Sequence, residues 1–84
     1  MRLLDAAATQ AALPYDVLAP SIAHLLREGT VQVPTRLVPE VSPGAHLFVM
    51  PASDGQLAIT KLISLVRSNA QRNLPTIQGQ VMVF

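Results

Sequence analysis

A single lysine, Lys61, stands in the run Leu57-Ala58-Ile59-Thr60-Lys61-Leu62-Ile63-Ser64-Leu65-Val66. Read as one strand, the run places Lys61 on the same face as Leu57, Ile59, Ile63 and Leu65, because alternate strand residues share a face. An ammonium on an apolar face must find an anion, reach solvent along its own stem, or give up its proton. The first outcome makes Lys61 an anion-binding residue and the second an edge residue of a strand; the run alone leaves both open. Arg36 follows Val33-Pro34-Thr35, where the proline stiffens the approach. A guanidinium held this way suits a planar carboxylate, which it can grip through two parallel hydrogen bonds. An arginine on a solvated surface is the competing reading. Thr76, after Leu74-Pro75, offers a hydroxyl to such a site, or is simply a strand residue.

Other chemistries find less support. His24 falls on an expected helix and His46 opens an expected strand, so they lack the spacing of metal ligands. Ser64, His46 and Asp54 contain the residue types of a catalytic triad, but no nucleophile motif surrounds the serine. Gly29, Gly44, Gly55 and Gly79 are too scattered for a phosphate loop, and no dinucleotide fingerprint is present. The absence of cysteine rules out disulfides and thiolate zinc sites, and fits a reducing compartment. A net charge of +1 gives no electrostatic reason to invoke nucleic acid or an anionic membrane.

The elements that must position these residues follow from periodicity. Arg2 to Leu4 reads as a short strand, with Asp5 capping a helix over Ala6 to Leu13. Pro14 opens a second helix, in which Leu18, Ile22, Leu25 and Leu26 share a face and Gly29 supplies the stop. Pro20 is expected to kink that helix or delay its start. From Val31 the period changes: Val31 to Val33 alternates, and Pro34 and Pro39 punctuate an extended piece from Arg36 to Val41. Ser42-Pro43-Gly44 is a turn, Ala45 to Met50 a strand ending at Pro51, and Asp54-Gly55 a hairpin turn. The return strand runs from Leu57 to Val66, Arg67 to Pro75 is a polar connection, and Ile77 to Phe84 is again extended. The expected class is α+β, with two helices packed on an antiparallel or mixed sheet of about five strands.

The chain of 84 residues suffices for one small domain, yet it is 50% hydrophobic and only 13% charged. Some of that apolar area is expected to meet further protein. Strand character runs through Val81-Met82-Val83-Phe84 to the last residue, which reads as an incomplete domain. No apolar run is long enough to span a bilayer, and a cytoplasmic location is expected.

In order along the chain, Leu13-Pro14-Tyr15, Val33-Pro34-Thr35-Arg36, His46 to Ala52, Leu57 to Val66 with its lysine, and Asn69 to Gly79 together resemble the ornithine cyclodeaminase/mu-crystallin family. No one tetrapeptide carries the likeness; the collinear set, spanning the whole chain, does. The resemblance implies that residues 1–84 are the N-terminal part of a substrate-binding and dimerisation domain. The Rossmann domain that holds NAD(P) would lie beyond Phe84, with the family's later arginine and catalytic aspartate. It implies hydride transfer at the carbon beside a carboxylate of a small amino or imino acid, in a homodimer. Arg36 matches the arginine that grips the substrate carboxylate, Lys61 the site lysine, and Thr76 a threonine beside it. The residues leave ornithine, a cyclic ketimine, pyrroline-2-carboxylate and alanine all open as substrates. No catalytic residue falls within these positions, so the chain alone is expected to be inactive and to bind no NAD(P). The alternative is a non-catalytic interaction module or vestigial product that uses the inherited dimer surface.

Overall fold

A computed structural model describes all residues from Met1 to Phe84, which form two compact units, Met1–Thr30 and Val31–Phe84. The first unit is helical. Helix α1, Ala6–Ala12, starts where the Asp5 carboxylate accepts the Ala8 N–H at 2.8 Å, satisfying one donor of the first turn. Helix α2, Tyr15–Glu28, has Pro14 as its N-cap and closes on Gly29, whose φ of 68° lets its N–H reach the Leu25 carbonyl. Pro20 does not break α2. Its ring removes only the bond to the Asp16 carbonyl, and the helix continues through it. The expected strand at Arg2–Leu4 is absent; those residues precede α1 without a pairing partner.

The second unit is a four-stranded sheet in the order β1 (Glu40–Ser42), β2 (Ala45–Ser53), β3 (Ala58–Val66) and β4 (Ile77–Val83). Every pairing is antiparallel, so the α+β class holds with four strands and no parallel pair. The fifth expected strand, Val31–Val33, is reduced to one bridge, Gln32 to Ser53. Leu37 makes a second bridge, to Val49. Five steps of chain between Gln32 and Leu37 thus face four between Val49 and Ser53, and the extra residue makes the segment bulge. Pro34 lies in the bulge and offers no N–H to a ladder.

The same geometry lets β2 run past its expected end at Pro51. Leu47, Val49 and Ser53 send their N–H groups toward Pro39, Leu37 and Gln32. The missing N–H of Pro51 falls opposite the bulge, where no rung is made. Pro43-Gly44 turns β1 into β2, with Gly44 at φ 77°. The β2–β3 hairpin turns at Gly55-Gln56. Gly55 has φ 92° and Gln56 a negative φ, the pattern of a type II′ turn. The Asp54 carboxylate accepts the N–H groups of Gln56 and Leu57, each at 2.9 Å. Between β3 and β4 the expected connection contains a 3₁₀ turn, Arg67–Arg72.

Candidate functional site

The β2–β3 register pairs Met50 with Lys61, and the β3–β4 register pairs Lys61 with Val81. On the other side of β2, the bridge from Leu37 to Val49 sets Arg36 beside the Met50 rung. Arg36, Met50, Lys61 and Val81 therefore form a row across one face of the sheet. The ring of Phe48 confirms the face for Arg36: the guanidinium carbon lies 5.7 Å from the ring centroid. Phe48 and Met50, two residues apart on β2, point the same way. Adjacent strands lie about 4.8 Å apart, so the Arg36 and Lys61 backbones are separated by about 10 Å across the row. Both side chains are long enough to meet over Met50.

Arg36 and Lys61 are exposed, and neither has a carboxylate partner in the chain. The one basic side chain that meets a carboxylate is His24, 3.6 Å from Glu28 on α2. Around the row the same face carries Phe48, Ile59 and Ile63. Two unpaired cations on a hydrocarbon surface attract an anion more strongly than the same charges set among carboxylates. On this face Glu40 stands opposite His46. His46 is four residues along β2 from Met50, about 13 Å away.

Thr76 is placed elsewhere. Its carbonyl accepts the Val66 N–H at 2.9 Å, so it sits at the far end of the β3–β4 pair. Five residues separate Val66 from Lys61 along β3, a distance of about 16 Å. The structure brings Arg36 and Lys61 together and leaves Thr76 at the other end of the strand. Ser64 is likewise apart from His46: it pairs with Leu47 and Gln78 on the opposite face, and Asp54 is at the hairpin tip. That opposite face holds a depression of about 270 Å³ lined by Leu47, Leu62, Ser64, Gln78, Gly79 and Gln80. It has no charged side chain and is not the site of the two cations.

Sequence reasoning missed Phe48 and Met50 as neighbours of the cations, because only the pairing register reveals them. It also missed Asn69, the buried polar residue of the sheet unit. Its amide donates to the Pro75 carbonyl at 3.1 Å and accepts from the Arg72 guanidinium at 2.6 Å. Asn73, at φ 58°, ends the 3₁₀ turn and Leu74 N–H returns to the Asn69 carbonyl. These bonds fix the path by which the chain enters β4.

The glycine fingerprint of a dinucleotide-binding turn is not among these residues. That fingerprint needs three closely spaced glycines at the start of a helix, whereas Gly29 ends a helix, Gly44 and Gly55 make turns and Gly79 is within β4.

No family model matches the sequence. The Delta(1)-pyrroline-2-carboxylate reductase 2 of Burkholderia ambifaria is 40% identical over 83 residues, 95% of this chain. A Delta(1)-pyrroline-2-carboxylate/Delta(1)-piperideine-2-carboxylate reductase of Azospirillum brasilense is 35% identical over 98% of the chain. The chain spans 27% of the length of these relatives. Among solved structures, an archaeal alanine dehydrogenase dimer with bound NAD superposes with a TM-score of 0.61 and 25% identity, over 70% of this chain and 18% of that one. The Thermococcus litoralis Delta(1)-pyrroline-2-carboxylate reductase in complex with NADH and L-proline gives 0.60 and 26%, over 69% of this chain and 19% of that one. Over the stretch it shares with these reductases and with the dehydrogenase, the chain is similar to members of the ornithine cyclodeaminase/mu-crystallin family.

Proposed function

We propose that residues 1–84 supply the carboxylate grip of an NAD(P)H-dependent reductase acting on a cyclic imino acid such as Δ1-pyrroline-2-carboxylate. The observation that carries this reading is the row Arg36–Met50–Lys61, two unpaired cations on an apolar sheet face. One carboxylate can take two hydrogen bonds from a guanidinium and a third from an ammonium on its other side. The rest of the substrate then lies against Met50, Ile59 and Ile63. A compact hydrocarbon ring suits such a floor, while the second ammonium of ornithine would need an acid that the floor lacks. The relatives named for pyrroline and piperideine carboxylates support the same choice. These residues bind and orient; hydride delivery and proton transfer belong to groups outside them.

A dimer contact is a second part of the proposal. Strand β4 leaves Ile77, Val81 and Val83 more than half exposed, an apolar strand ready for a second copy. The solved archaeal alanine dehydrogenase is itself a dimer.

The test is turnover by the complete product of the reading frame. Saturable oxidation of NADH or NADPH by Δ1-pyrroline-2-carboxylate, with no ammonia released from ornithine, is expected. Ammonia release without imine reduction, or turnover of neither substrate, contradicts the reading.

A further inference from the structure

Arg36 is the last residue of the bulged segment before the Leu37 bridge, so its backbone is set by the neighbouring rung while its long side chain is not. Its side chain makes no hydrogen bond and no ion pair within the chain. The one contact that orients its charged end is the half-buried Phe48 ring, 5.7 Å away. We propose that Phe48 is a positioning residue for Arg36 in substrate binding, which rests on the carboxylate reading above. An aromatic face attracts a guanidinium through its quadrupole without using any N–H. All five N–H donors of Arg36 stay free for the substrate, which an acidic residue at position 48 would not allow. Phe48 thus fixes where the fork lies while leaving its donors unoccupied, so less ordering is left to the moment of binding.

The experiment measures KM and kcat for Δ1-pyrroline-2-carboxylate with the complete reading-frame product carrying Phe48→Leu, Phe48→Met, Phe48→Tyr and Arg36→Met, and the double variant Phe48→Leu/Arg36→Met. Phe48→Leu is expected to raise KM by about two- to fivefold, the size of an exposed cation–π contact, with kcat nearly unchanged. Phe48→Met preserves side-chain volume and gives the same result should the leucine variant fold poorly. Phe48→Tyr keeps the ring and should restore KM. In the Arg36→Met background, Phe48→Leu should change nothing further. An unchanged KM in Phe48→Leu and Phe48→Met, alongside a raised KM in Arg36→Met, overturns the positioning role and leaves the carboxylate reading standing. An equal rise in KM with and without Arg36 makes Phe48 a general packing residue and also overturns the proposal. If Arg36→Met itself has no effect, the carboxylate reading fails and this inference fails with it.

Discussion

At the scale of single residues, binding of a carboxylate depends on what a fork and a point charge can each do. Arg36→Lys keeps the charge and loses the bidentate geometry. In the complete reading-frame product it should raise KM for the imino acid by about tenfold or more, the worth of a hydrogen bond to a charged group. Steady-state kinetics check this, and a change confined to kcat would speak against ground-state carboxylate binding. The face of Lys61 could be read from the sequence because a strand has period two. Its neighbours could not: Met50 and Phe48 come beside the cations through pairings that hydropathy does not encode. Thr76 shows the same gap, since its spacing from Lys61 says nothing of the far end of a strand pair.

Asp54 gives a second test at this scale. The N–H groups of Leu57 and then Gln56 hold its carboxyl below the usual aspartate range. A depressed folded-state pKa means that the stabilisation is complete above the unfolded value, and is lost as pH falls through the folded one. Protection of the Gln56 and Leu57 amides from hydrogen exchange should therefore persist down to the ordinary aspartate pKa and fail below it. In Asp54→Asn that acid-dependent step should vanish.

Elements set where these residues lie, and their boundaries follow from hydrogen-bond accounting more than from propensity. Pro51 would be expected to end β2, yet the strand crosses it because its ring faces a bulge that asks for no donor. Val31–Val33 has the alternation of a strand, but Pro34 and the extra residue of the bulge limit it to one rung. A hairpin beside Asp54-Gly55 was legible, although its turn residues are Gly55-Gln56, one position later, with the Asp54 side chain bonding across the turn. The 3₁₀ turn after β3 was not, because it depends on the buried Asn69 side chain. Asn69→Ala should leave the Pro75 carbonyl without its donor and destabilise the chain by about 1–3 kcal/mol. A lowered urea midpoint with an unchanged m-value would show it, together with faster exchange of the Leu74 amide. An unaltered midpoint would mean that the segment holds its path without Asn69.

For the whole molecule, the notable property is how little each unit covers of its own apolar surface. Only Ala45 and Asn69 are buried, and no large side chain is fully enclosed. The helical stripe of Ile22, Leu25 and Leu26 is exposed, as are Val81, Val83 and Phe84 at the β4 end. The 50% hydrophobic composition announced this surface, although not which strand would carry it. The isolated 84 residues should therefore self-associate. Sedimentation velocity should show a weight-average mass that rises with concentration; a sharp monomer with a cooperative melt would contradict the expectation.

Arg36 and Lys61 are proposed to hold one carboxylate between them, and a double-mutant cycle measures whether they do. The affinity of the complete reading-frame product for the imino-acid substrate, or for L-proline as a stable competitor, is measured in Arg36→Lys, Lys61→Met and the double variant. Each single change should weaken binding, and the double variant should lose less than the two losses combined, because both residues address the same ligand. Strict additivity, with near-normal affinity in each single variant, would show that the two cations serve the fold and not a shared carboxylate.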